Sequence, residues 1–92
     1  MTIAEADIFE KDGAFLFTDI PDGLAVNDAD GQEIHFLNHV AATVLLLCDG
    51  DHDVRSIALI LQEEFGLPES PLQDLRDCLA ERLANGIIRK LM

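Results

Sequence analysis

The first 37 residues alternate short apolar runs with turn residues, which is the pattern of short β-strands. Residues 14–18 form a compact apolar and aromatic run, and residues 24–27 form a second run. Residues 32–37 alternate polar and apolar side chains, as a half-buried strand does. Turn sequences at residues 20–23 and 28–31 separate the three runs. We therefore predict a three-stranded antiparallel meander in which residues 24–27 pair with residues 32–37.

From Asn38 onward the apolar period becomes helical. Asn38 is a good N-cap, and the helix that it begins is apolar nearly all round through Cys48, which predicts a central, buried helix. Asp53 is the predicted N-cap of a second helix, which ends at Gly66. A capping box at residues 70–73 begins a third helix, with an apolar stripe that runs to its end near residue 84. Ile87 and Ile88 follow and could add a strand.

The predicted fold class is therefore α+β, with a three-stranded antiparallel sheet followed by three helices. Short helices joined by tight Gly-containing turns beside a small sheet resemble a winged helix-turn-helix unit. Nothing divides the chain, so we expect one domain over residues 1–92, with residues 1–12 either flexible or a first strand.

Composition supports one soluble globular domain. The 92 residues are 49% apolar and 26% charged, which is ordinary globular usage, and a chain of this size has room for one modest core. The longest unbroken apolar run is five residues, Val44–Cys48, whereas a membrane helix needs about 20. The first residues lack the features of a signal peptide, so we expect a cytoplasmic protein that does not bind membranes. Cys48 and Cys78 are then expected to be reduced thiols in the core.

The charge distribution disfavours nucleic acid as a partner. The formal net charge is −12, and residues 1–54 hold twelve acids and one base, Lys11, or −11 of that total. Nucleic-acid binding draws most of its affinity from basic side chains that neutralise phosphates. We therefore expect no binding of nucleic acid, and a preference for partners that carry Lys or Arg.

No enzyme motif is present. The sequence lacks nucleophile-elbow, P-loop, dinucleotide-binding and zinc-protease signatures. His35 and His39 fall on a predicted strand and a predicted helix, so they need not converge on a metal, and the acids of residues 49–53 lack the Gly and Glu of a calcium loop. We expect no catalytic residue, no metal and no cofactor.

The segment from residue 34 to residue 50 combines a strand, Leu-Asn, an Ala-containing helix and Leu-Cys-Asp-Gly. Asp53-Val54, Glu64-Phe65-Gly66 and Asn85-Gly86-Ile87-Ile88 follow at the ends of the later predicted helices. This arrangement resembles the PqqD family over about residues 13–91. The start of the chain lacks the Arg- and Pro-containing opening of pyrroloquinoline quinone (PQQ) pathway members, which leaves the pathway open.

The resemblance implies a non-catalytic peptide-recognition module, a RiPP recognition element for ribosomally made and post-translationally modified peptides. Such a module binds the leader of a precursor peptide and presents the core to a modifying enzyme, often a radical SAM enzyme. The leader would lie as an added strand on residues 32–37, in a cleft with the third helix at residues 72–84. The implied peptide-binding residues are Gln32, Glu33, Ile34, His35, Phe36, Leu37, Leu75, Cys78, Leu79 and Arg82.

Two expectations about that site follow from the residue pattern. The alternation of Glu33 and His35 with Ile34 and Phe36 turns one face to the core and one to solvent. A proline at His35 should then weaken peptide binding more than it disturbs the fold, unless its N–H faces the neighbouring strand of residues 24–27. Arg82 falls within the apolar stripe of the third helix, near Leu75, Cys78 and Leu79. It could bind an acidic side chain of the leader, or only complement the helix dipole and extend into water.

Two other functions remain open. The protein could be a PqqD-like adaptor that serves a kinase- or transferase-type partner and has no peptide substrate. It could also be a winged-helix DNA-binding regulator, although its third helix has three acids against two bases.

Overall fold

The computed structural model describes residues 3–28 and 34–91, and for Ile34 the backbone only. This part of the chain forms six strands and three helices in mixed order. In chain order they are β1 (Ile8–Lys11), β2 (Phe15–Ile20), β3 (Gly23–Asp28), β4 (Ile34–Leu37), α1 (His39–Leu47), β5 (Asp49–Asp53), α2 (Val54–Glu64), α3 (Leu72–Ala84) and β6 (Ile88–Leu91).

Strands β2, β3 and β4 form the predicted antiparallel meander, in the spatial order β2-β3-β4. A two-residue turn joins β2 to β3, and Val26 lies between Phe17 on one side and His35 on the other. The predicted pairing of residues 24–27 with the following strand is confirmed. Gln32 and Glu33, the first two residues of the predicted third strand, lie outside the described residues.

A second antiparallel sheet, in the order β5-β1-β6, was not predicted. The α+β class is confirmed, but the order of one sheet followed by three helices is wrong, since β5 precedes α2 and β6 follows α3. The winged helix-turn-helix likeness stays a prediction. Strand β5 has the sequence Asp-Gly-Asp-His-Asp, with no apolar residue. It is extended because it pairs with β1, and the Val54 N–H continues that contact by donating to the Asp7 carbonyl oxygen at 3.0 Å.

The first two helices begin where the sequence predicts. The Asn38 side chain accepts a hydrogen bond from the Ala41 N–H, and the Asp53 side chain accepts one from the Ser56 N–H, so both predicted N-caps are confirmed. Helix α3 begins after Pro71 without a side-chain hydrogen bond to its first turn. The predicted capping box at residues 70–73 is therefore wrong.

One core joins the helices to both sheets. Its largest fully buried side chains are Phe9, Leu45, Ile57, Leu61, Leu75, Leu79 and Ile87. The prediction that α1 is buried all round is wrong, because Leu46 is 70% exposed. Helix α1 packs on β3 and α2 with one side and leaves the other side open. Among the described residues, no helix is both long enough and apolar enough to span a membrane.

Candidate functional site

Strand β4 lies at the edge of its sheet, and among the described residues no strand pairs with its outer side. The two-residue turn between β2 and β3 makes Ile20 and Gly23 a hydrogen-bonded pair. Because N–H and C=O groups alternate in direction along a strand, Leu24 and Val26 then direct their N–H and C=O groups towards β4. The residues opposite these two are Leu37 and His35.

The backbone around Gly23 supports this alternation independently. A Cβ atom built on Gly23 would overlap the carbonyl oxygen of Leu37, so that carbonyl points towards β3. By alternation, His35 also directs its N–H and C=O towards β3. Ile34 and Phe36 therefore present their N–H and C=O to the free edge. The N–H of His35 therefore faces β3, the alternative that the sequence left open, and a proline there is expected to disturb the sheet. The outward N–H belongs to Phe36.

The side chains of β4 alternate as expected between a solvent face and a core face. Phe36 is 72% exposed, Leu37 is 7% exposed and belongs to the core, and His35 is half-buried. Leu37 decides the orientation, because it directly precedes the N-cap of α1 and packs beneath that helix. The aromatic ring of Phe36 consequently lies on the solvent face of the sheet.

An apolar cleft begins beside the end of β4 and runs between α1 and α3. Its volume is about 210 Å³, and it is lined by Asn38, Val40, Ala41, Val44, Leu61, Pro71, Asp74, Leu75 and Cys78. Leu75 is buried at its base. Burial raises the pKa of the Cys78 thiol, which therefore stays neutral and behaves as a small apolar group.

The residues predicted on α3 divide into two pairs. Leu75 and Cys78 line the cleft, whereas Leu79 is fully buried in the core and does not line it. Arg82 is also buried and away from the cleft lining: its Nη2 atom lies 3.0 Å from Glu81 Oε1, and its Nε atom has no hydrogen-bond partner among the described residues. The interpretation that Arg82 extends into water is wrong, because Arg82 is only 7% exposed.

The sequence interpretation missed the wall formed by α1 and the acid at the cleft. Val40 and Val44 were assigned only to a buried helix, yet Val40 is half-exposed at the cleft. Asp74 stands in the first turn of α3, where an acid is common because it complements the helix dipole. No signal in the sequence therefore marked Asp74 as a site residue.

A larger cavity of about 350 Å³ lies between the β2–β3 hairpin and the outer side of α1. Phe17, Leu24 and Leu46 line it together with Lys11, whose Nζ donates to the Leu45 carbonyl oxygen at 3.1 Å. Among the described residues, neither this cavity nor the smaller cleft is lined by a residue of β4. The smaller cleft is the better candidate site because it begins at Asn38, the residue directly after β4, and has a wall formed by α3.

Comparison with protein families gives one match over most of the chain. The family model described as coenzyme PQQ synthesis protein D (PqqD) matches residues 23–88, from the start of β3 to the start of β6. The chain belongs to the PqqD family. PqqD-family proteins are non-catalytic accessory proteins that bind peptide and partner enzymes in PQQ biosynthesis. Comparisons with curated proteins and with solved structures found no match. The free edge, α1 and α3 all fall within the segment that matches PqqD.

Proposed function

We propose that this PqqD-family protein binds the leader of a ribosomally made precursor peptide by strand addition to β4 and presents the peptide to a modifying enzyme, a radical SAM enzyme. The observation that carries the proposal is the outward backbone of Ile34 and Phe36 on a strand followed directly by Asn38, which lines an apolar cleft. An added strand satisfies edge groups that otherwise bind water.

The two parts of the site have different tasks. Each backbone hydrogen bond between the edge and the peptide contributes about 0.5–1.5 kcal/mol net, whatever the peptide sequence. Side-chain selection comes from the cleft, where an apolar side chain of the peptide can pack against Val40, Val44 and Leu75. Backbone pairing supplies affinity in this scheme, and the cleft determines which residues of the peptide lie opposite β4.

The chemistry of the site favours presentation over catalysis. The thiol that faces the cleft, Cys78, is held neutral by burial, and the Asn38 amide oxygen is engaged by the Ala41 N–H. A peptide bound here would keep its core residues outside the cleft. The reacting groups would then come from the partner enzyme.

Fluorescence polarisation with the leader of a precursor peptide encoded beside this chain tests the proposal. We expect saturable binding, amide shifts in β4 and the first turn of α1, and no binding of a scrambled peptide of the same composition. Binding that leaves the amides of β4 unchanged would reject strand addition here.

A second candidate is an adaptor for a kinase- or transferase-type partner without a peptide substrate. The favouring observation is the solvent face of the β2-β3-β4 sheet, where Leu16 and Phe36 are 63% and 72% exposed. In that case Leu16→Glu, far from the free edge, would abolish partner binding, and Phe36→Pro would weaken it no more than Phe36→Val, which also removes the ring but keeps the N–H. The DNA-binding alternative gains no support, since the cleft contains an acid and no base.

A further inference from the structure

The charge at the cleft is negative and unpaired. Asp74 is the only charged side chain that lines the cleft within the described part of the chain, and it is exposed at the start of α3. Its carboxylate has no hydrogen-bond or ion-pair partner among the described residues. A peptide in the cleft would meet this carboxylate next to the apolar lining.

The nearest basic side chains of α3 are engaged elsewhere. Arg76 donates from Nε to the carbonyl oxygen of Ile3 at 3.1 Å, and Arg82 is buried beside Glu81 at the far end of the helix. Neither residue lines the cleft. Within the described residues, no cation therefore pairs with Asp74.

The surrounding charge has the same sign. Residues 1–54, which supply β4 and α1, carry −11 of the formal net charge of −12. A field of this sign repels acidic peptides and concentrates basic ones near the surface. Local and overall charge thus favour the same kind of ligand.

We infer that the bound peptide is basic: it places an apolar side chain in the cleft and, beside it, a Lys or Arg that pairs with Asp74. This inference rests on the proposed function and adds the class of peptide. It is the opposite of the alternative in which Arg82 binds an acidic side chain of the leader. Asp74 would then determine specificity at the cleft, in addition to complementing the dipole of α3.

Selection from a random peptide display library tests the inference even where the leader sequence is not identified. The library is selected on the wild-type protein, on Asp74→Lys and on the matched control Asp77→Lys. Asp77 is an exposed acid of the same helix outside the cleft lining, where it accepts a hydrogen bond from Gln73. Both variants change the net charge by the same amount, so the overall field is matched. Thermal melts establish that both are folded.

We expect the wild type and Asp77→Lys to select an apolar residue with Lys or Arg beside it. Asp74→Lys should lose that basic preference and gain Asp or Glu at the same position. For one selected peptide, Asp74→Lys should weaken binding about 2- to 10-fold at low salt and less at high salt, as expected for reversal of an exposed pair.

Two results would overturn the inference while leaving peptide binding intact. One is a selected consensus without a basic position, and the other is an equal loss of the basic preference in both variants, which would assign it to the overall field. If no peptide is enriched on the wild type, the proposed function fails and the inference fails with it.

Discussion

A proline at Phe36 should separate peptide binding from folding. The side chain of Phe36 is 72% exposed and its N–H faces the free edge, so the folded protein loses little when proline removes both. The preceding residue is already extended in β4, which is the conformation that proline requires before it. The perturbation is thus confined to the groups that an added strand would use.

The expected loss of affinity follows from one hydrogen bond. Proline at Phe36 removes a donor and leaves a carbonyl of the bound peptide unsatisfied, which costs about 1–3 kcal/mol in all where that carbonyl is buried. A total of about 1–3 kcal/mol corresponds to a 5- to 150-fold weaker Kd. Fluorescence polarisation with a display-selected peptide measures this change, and urea unfolding should show a change in stability below about 1 kcal/mol.

Two further variants serve as controls. Phe36→Val removes the aromatic ring but keeps the N–H, so it isolates the contribution of the backbone donor. His35→Pro removes an N–H that faces β3, and should lower the free energy of unfolding by about 1–3 kcal/mol because the partner carbonyl of Val26 is left unsatisfied. Equal peptide affinities for Phe36→Pro and Phe36→Val would refute the assignment of the outward edge.

Three other outcomes are expected. Gly23→Ala should lower the free energy of unfolding by about 2–4 kcal/mol in urea, because Gly23 has φ +149° and its new Cβ would overlap the Leu37 carbonyl. The Ser56 N–H holds the pKa of Asp53 below its ordinary value. The stabilisation that the ionised Asp53 side chain gives the folded protein is therefore present above about pH 4 and is lost as the pH falls further. In acid unfolding, Asp53→Asn, which keeps an N-cap, should show a weaker pH dependence of stability. Mass spectrometry after alkylation at pH 8 should find Cys78 modified before Cys48, because burial raises the pKa of the Cys48 thiol to about 12. Bound peptide should protect Cys78, which lines the cleft. Equal rates of Cys78 alkylation with and without peptide would place the peptide outside the cleft.

The parts of the fold that sequence predicts well depend on neighbours along the chain. The β2–β3 turn and the pairing of β3 with β4 connect residues close in sequence, and the N-caps Asn38 and Asp53 each bond an amide three residues onward. Local signals of this kind are written in a few adjacent residues. The meander and the starts of α1 and α2 were predictable for that reason.

The sheet of β1, β5 and β6 could not be predicted in the same way. Its central pairing joins residues near the two ends of the chain, Ile8 opposite Leu91 and Lys11 opposite Ile88. Strand β5 has no β-forming pattern and is extended only because β1 lies beside it. The sequence pattern also could not predict which face of β4 is buried. Phe36 is the larger apolar residue and is exposed, whereas Leu37 belongs to the core.

The helical pattern of α3 could not predict whether an acid or a base lies at the cleft. Pro71, Asp74, Leu75 and Cys78 lie at the spacing of one helical face, and Arg82 continues that same face one turn beyond Cys78. The angular position of Arg82 was therefore correct. A helical wheel contains no axial coordinate, however, and Asp74 and Arg82 are about 12 Å apart along α3 at 1.5 Å per residue. The cleft is lined by the first half of α3 and Arg82 is buried beyond it, so the acid and not the base stands where a peptide would bind.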